Sequence, residues 1–231
     1  MKTIGLLGGM SWESTVGYYR DINEGVKKAL GGWHSAKIAL YSVDFESIEK
    51  LQHAGDWEGA AEILAAAAQN VQAAGADFLL ICTNTMHRVA PQIERAIDIP
   101  LLHIADATAQ VIVQEGIKTV GLLGTAFTME QEFYKGRLSE IYGLEVQIPG
   151  EDDRKFIHET IYRELCLGTV RDAARTEFLR IIDTFARQGA EGVILGCTEI
   201  GMLVGQGDTE VRLFDTTAIH AAKAVEYAIP H

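Results

Sequence analysis

An internal repeat constrains this chain more than any other feature. Lys2-Thr3-Ile4-Gly5-Leu6-Leu7-Gly8 recurs as Lys118-Thr119-Val120-Gly121-Leu122-Leu123-Gly124, an offset of 116 residues. Gly75-Ala76-Asp77 with the apolar run Phe78 to Ile81 recurs as Gly189-Ala190-Glu191 with Gly192 to Leu195, an offset of 114. Two pairs of segments in the same order at nearly equal spacing indicate two similar halves. Strand-like runs cover 3–7, 37–41, 78–82, 101–103, 119–123, 192–195 and 211–214. Helical patterns cover 14–30, 59–74, 89–96, 105–114, 129–141, 154–165, 170–187 and 216–228. Such alternation predicts βαβ units around mainly parallel sheets, hence an α/β protein. The 231 residues divide into a first domain of 1–100 plus 210–231 and a second of 101–209, each large enough to bury a core.

Composition excludes several function classes. A net charge of -12 opposes a nucleic-acid backbone, so no nucleic-acid partner is expected. An anionic substrate must therefore be drawn in by a few local donors. The first residues run straight into a strand and offer no signal peptide, and no window is apolar enough to span a membrane. Cys82, Cys166 and Cys197 cannot all pair, and their spacing matches neither a zinc knuckle nor Cys-x-x-Cys, so free thiols and a cytoplasmic location are expected. His34, His53, His87, His103, His158, His220 and His231 are scattered in sequence and form no metal-ligand motif.

Ligands of parallel α/β sheets sit outside the carboxyl ends of the strands, so the strand-end segments are the candidates. The 114-residue offset sets Cys82 opposite Gly196 and Thr83 opposite Cys197. Because side chains alternate along a strand, Cys82 is expected to face the packing side and Thr83 the cleft. Cys197 precedes Thr198-Glu199, where a helix can start, and a helix N-terminus favours thiolate over thiol. It reads as a base or nucleophile, or else as an inert thiol at a sheet end; Cys166, inside a helical stretch, reads as inert. Asn84, Thr85 and Thr198 can clamp a small carboxylate or cap the following helices. Gly8-Gly9-Met10-Ser11 and Gly124-Thr125-Ala126-Phe127-Thr128 form matching turns after the first strand of each half, with hydroxyls at Thr125 and Thr128. Neither is a Gly-x-Gly-x-x-Gly or Walker loop, which argues against a dinucleotide or nucleoside triphosphate. His87, close after Thr85, has a role near the cleft or simply begins a helix.

Together these residues resemble the cofactor-independent aspartate/glutamate racemases. The family's first motif, Cys-Asn-Thr, stands here as Thr83-Asn84-Thr85; its second, Gly-Cys-Thr-Glu, is intact as Gly196-Cys197-Thr198-Glu199. The opening Gly5-Leu6-Leu7-Gly8-Gly9-Met10-Ser11 is similar to the aspartate-racemase branch. The resemblance implies two pseudo-symmetric three-layer domains, a homodimer, and an active site between the domains that holds a small anionic amino acid. It implies no pyridoxal phosphate and no metal, with two cysteines flanking the α-carbon. Carried over, Cys197 acts on the L enantiomer, and Thr83 replaces the cysteine that acts from the D side. A hydroxyl is a far poorer base than a thiolate, so the expected activity is biased kinetically toward L-aspartate or L-glutamate. Arg163 resembles the position of a basic residue that reaches the distal carboxylate, with Gln52 as a partner; Met10, Asn84, Thr85, Thr125, Thr128, Thr198 and Glu199 complete the expected substrate contacts. The alternatives are a cysteine-dependent decarboxylase or isomerase of small dicarboxylic acids, and a silent amino-acid-binding protein.

Overall fold

The computed structural model describes residues 1–229; His231, one of the seven histidines, lies outside it. The elements run β1 Ile4–Gly8, α1 Trp12–Leu30, β2 Ile38–Ser42, α2 Phe45–Ala54, α3 Trp57–Ala73, β3 Phe78–Ile81 and α4 Ala90–Ala96. They continue with α5 Ile104–Gln114, β4 Thr119–Gly124, α6 Ala126–Glu130, α7 Glu132–Tyr142, β5 Glu145–Gln147 and α8 Glu151–Arg163. The last are α9 Asp172–Arg187, β6 Gly192–Gly196, α10 Ile200–Leu203, β7 Arg212–Asp215 and α11 Thr216–Ala228. Two sheets form, ordered β2-β1-β3 and β5-β4-β6-β7, and every strand pairing is parallel.

The chain divides into two compact units, Met1–Ile104 with the segment from His220 onward, and Ala105–Ile219. The return to the first unit therefore falls later than residue 210. β7 pairs with β6, from Gly192↔Arg212 to Leu195↔Asp215, and this ladder holds 210–219 in the second unit. The crossing out of the first unit likewise falls at 104 rather than 100, because Leu101 bridges Leu79. That segment is a single bridge rather than a strand: Pro100 has no N–H to extend a ladder, and α5 starts at Ile104.

The repeat has a structural basis at three levels. In the first unit Asp77 Oδ2 accepts the Thr3 N–H at 2.6 Å; in the second, Glu191 Oε2 accepts the Lys118 and Thr119 N–H groups at 2.8 and 3.0 Å. Each acid thus ties the start of one strand to the turn before its neighbour. Gly5 and Gly121 are the close-approach points: a Cβ there would lie 2.6 Å from Val71 of α3 or from Phe185 of α9. Strand registers agree as well, with Leu7↔Ile81 in one unit and Leu123↔Leu195 in the other.

In the first unit the period-two alternation of β3 feeds two cores. Leu79 and Ile81 pack with α2, α3 and α4 through Ile48, Leu64, Ala68 and Ile93. Phe78, Leu80 and Cys82 pack on the other face with Tyr18, Ile22 and Val26 of α1 and Ala221, Ala224 and Ala228 of α11. A chain whose sheet is covered on both faces needs strands that are apolar throughout, as β1 and β3 are. The predicted helix at 129–141 is two helices, α6 and α7, because Gln131 adopts an extended backbone, φ -97° and ψ 149°.

Candidate active site

Both strand-end motifs lie at carboxyl ends of parallel strands. The registers extend the equivalence one step past the ladders: Ile81 corresponds to Leu195, Cys82 to Gly196 and Thr83 to Cys197. Cys82 is fully buried in the core beside α1, and the absence of water there pushes its thiol far above the ordinary cysteine range. The alternation that turns Cys82 into the core gives the opposite direction to Thr83, which is also buried.

Asn84 and Thr85 follow Thr83 directly, and Gln52 and Met10 belong to the same unit; all four are buried. Thr85 opens a 3-10 turn, Thr85–Val89, and Asn84 stands at its N-cap without capping it through its side chain. The carbonyl of Asn84 accepts the His87 N–H at 3.1 Å. Gln52 donates its amide to the sulfur of Met86 in the same turn at 2.8 Å, and Met10 lies in the apolar cluster that includes Met86 and Ile48. Ser11 caps α1 by accepting the Ser14 N–H, and Thr15 Oγ1 accepts the Gly9 N–H at 2.9 Å, so the glycine turn is fastened from the helix it precedes.

In the second unit Cys197 is 8% exposed and donates its thiol proton to Glu199 Oε2 at 2.9 Å. Thr198 Oγ1 donates to the same oxygen, also at 2.9 Å. Burial, then the Glu199 charge, and then Cys166 push the Cys197 thiol well above the ordinary range. The expected N-terminal effect is present but outweighed: the Glu199 backbone N–H bonds the sulfur and favours thiolate, while burial and the Glu199 carboxylate act more strongly against it, and α10 has only four residues. Thr125 caps α6 by accepting the Thr128 N–H, and its hydroxyl lies 3.2 Å from that of Thr128. Thr128 packs against Gly124 and Gly196, where added Cβ atoms would lie 3.2 and 3.5 Å from it, so it flanks the strand ends leading to Cys197. Arg163, at the last turn of α8, is 76% exposed and makes a 3.7 Å ion pair with Glu159. No hydrogen bond joins it to Cys197, Thr198 or Glu199.

One contribution went unread in the sequence, and a second was read only at His87. His158 of α8 accepts the Ala126 N–H through Nδ1 at 3.2 Å, fixing the Thr125 turn from outside. His87, His103 and His220, far apart along the chain, gather in the first unit: the His87 ring centroid lies 4.4 Å from that of His103 and 6.2 Å from that of His220. Separations of 16 and then 117 positions carry no local signal of this kind. Among the described residues no group of three or more His, Cys, Asp or Glu is placed to hold a metal ion, and no helix is long and apolar enough to cross a membrane.

Fold and site define a two-unit parallel α/β protein with a thiol and a hydroxyl at equivalent strand ends. The chain belongs to the Asp/Glu/hydantoin racemase family, whose model matches residues 7–224, and is thereby an isomerase by class. It is similar to a candidate Asp/Glu racemase from Yersinia pestis, 56% identical with a TM-score of 0.91 over the whole of both chains. It is also similar to PH1733, an aspartate racemase homologue from Pyrococcus horikoshii, 35% identical with a TM-score of 0.84 over 99% of each chain. Among curated proteins, the broad specificity amino-acid racemase RacX of Bacillus subtilis is 23% identical over 228 residues, 96% of each chain.

Proposed function

We propose that this chain racemises acidic amino acids, aspartate or glutamate, or exchanges their α-proton, without pyridoxal phosphate or metal, and that this exchange is faster from the L enantiomer. The observation that carries the reading is the Cys197 thiol hydrogen-bonded to Glu199 at the strand end equivalent to Thr83. In the proposed step Glu199 takes the thiol proton, and the thiolate takes the α-proton of the L substrate. The electron pair left on the α-carbon spreads into the α-carboxylate, which backbone donors and Asn84 bind as charge grows there. A proton from the Thr83 hydroxyl, or from a water it positions, reaches the opposite face, and solvent restores it. Thr83 is a poor acceptor for the reverse abstraction, which is the origin of the L bias. Arg163 and Gln52 are the proposed contacts of the distal carboxylate, and Met10, Thr85, Thr125, Thr128 and Thr198 the remaining substrate contacts. The aspartate-racemase homologue supports an acidic substrate, while the broad-specificity relative marks neutral amino acids as the comparison to run.

The test follows α-hydrogen exchange in deuterated water for both enantiomers of an amino-acid panel, with chiral analysis of products. Label should enter L-aspartate or L-glutamate faster than the D forms, and Cys197→Ser should abolish it. Exchange that survives Cys197→Ser overturns the assignment, equal rates from both enantiomers overturn the bias, and carbon dioxide release from an α-substituted malonate would indicate a decarboxylase.

A further inference from the structure

We infer that His87 is a positioning residue that sets the Thr83 side of the reaction; the inference rests on the proposed two-faced proton transfer. His87 Nδ1 lies 2.8 Å from the Thr83 carbonyl oxygen, and a carbonyl only accepts, so Nδ1 carries the proton. The Ile104 N–H donates to Nε2 at 3.2 Å, so Nε2 bears the lone pair. These two contacts select one neutral tautomer, and neither depends on a distant side chain that can rotate away. The backbone N–H of His87 meanwhile donates to the Asn84 carbonyl at 3.1 Å. One residue therefore holds the carbonyls of both Thr83 and Asn84, and with them the two peptide planes that orient the hydroxyl and amide side chains.

That hold is needed because Thr83 and Asn84 have left the β3 ladder, whose last paired residue is Ile81, and precede the 3-10 turn that begins at Thr85. Thr83 lies between these two elements, while the Asn84 carbonyl is held by the first bond of the 3-10 turn. The ring itself is kept in place from behind: it is buried, lies against His103, and faces His220, which accepts the Tyr18 hydroxyl proton at Nδ1 and donates from Nε2 to the Leu102 carbonyl, both at 2.8 Å. Through Ile104, His87 also anchors the Thr83 turn to the first residue of α5, the last of the first unit. The ring contacts at Nδ1 and Nε2 reach the Thr83 carbonyl and the Ile104 N–H, while the proposed L-side proton pair is Cys197 and Glu199. The consequence is specific: losing the His87 contact to Thr83 should impair delivery of the proton that makes the D product more than abstraction from L.

The readout is a ratio, the rate of α-deuterium incorporation into recovered L substrate divided by the rate of D formation. Both rates scale with the amount of folded enzyme, so a purely structural loss cancels. In His87→Ala and His87→Gln, which lack a donor at the Nδ1 position, the ratio should rise by about tenfold or more, the factor carried by roughly 1.4 kcal/mol in one barrier. In His87→Asn, whose amide N–H can occupy the Nδ1 position, it should return to within about threefold of the parent. A ratio that stays at the parental value in His87→Ala, or that rises equally in His87→Asn and His87→Gln, overturns the inference. Failure of the underlying reading is distinguishable, because it appears in the parent as absence of Cys197-dependent exchange before any His87 variant is measured.

Discussion

Replacing Glu199 by glutamine separates two properties that a simpler view of the site would tie together. At the 2.9 Å separation of Cys197 Sγ and Glu199 Oε2, a thiolate and a carboxylate both ionised would repel by about 6 kcal/mol at an effective dielectric of ~20. This outweighs the roughly 1.5–3 kcal/mol that a hydrogen bond to a charged group returns, so the pair holds one proton between them. Glu199→Gln removes the negative charge, which is the second cause, after burial, of the raised thiol. Cys197 should therefore ionise at lower pH in the variant than in the parent. The amide cannot accept the thiol proton, however, so kcat for racemisation should fall by about 10²–10³-fold, the scale of a lost general base. The assay pairs a thiolate titration by ultraviolet difference absorbance, referenced to Cys197→Ser to remove the other two cysteines, with chiral kinetics from the L enantiomer. An unchanged or higher ionisation pH refutes the electrostatic reasoning. Unchanged or increased kcat refutes the role of Glu199 as proton acceptor.

Thr83→Cys should raise D-side α-exchange and D-to-L conversion by about tenfold or more, because a thiolate replaces a hydroxyl as base; unchanged D-side exchange in chiral analysis would count against the missing-base explanation. Burial lowers the His220 ring from 6.5 to about 4, so between those values the unfolded chain binds a proton that the folded chain excludes. The stability this contributes is fully present above pH 6.5 and is lost as pH falls toward 4, a loss of about 3 kcal/mol. Trp12, Trp33 and Trp57 all belong to the first unit, so urea unfolding followed by tryptophan fluorescence at about pH 7 and about pH 4.5 reports it, and His220→Gln should flatten the difference. Gly9→Ala should destabilise the same unit by about 2–4 kcal/mol, since Gly9 has a φ of 93° and an added Cβ would lie 2.3 Å from the Val43 carbonyl oxygen; the same fluorescence assay reads it as a lowered urea midpoint.

What the sequence reveals here is whatever is repeated or local. Lys2 to Gly8 and its second copy are legible because both carry the same demands: a glycine where a helix crosses the sheet, and an acid 74 or 72 residues later whose carboxylate meets the strand start. The pairing of Thr83 with Cys197 follows because strand registers preserve the offset. Long-range pairings leave no such trace. Nothing in Arg212–Asp215 itself announces that it joins β6, so the unit boundary at 219 was out of reach, and the three-residue strand β5 is too short to stand out.

The state of the thiol was illegible for a different reason. Local reasoning looks for a cysteine made acidic by the helix that follows it, whereas Cys82 and Cys197 are both buried and both raised well above the ordinary range. Intrinsic acidity therefore does not distinguish Cys82 from Cys197, the base proposed above. Their surroundings do: Cys82 packs among Leu6, Phe78, Leu80 and Tyr18, while Cys197 has a carboxylate oxygen 2.9 Å away to which its proton can pass. Glu199 is only two residues from Cys197, yet neighbours so spaced need not meet, and here the turn between β6 and α10 brings them together. A buried thiol with an adjacent proton acceptor stays neutral until that transfer occurs, so its basicity is released within the site rather than stored as a thiolate exposed to solvent.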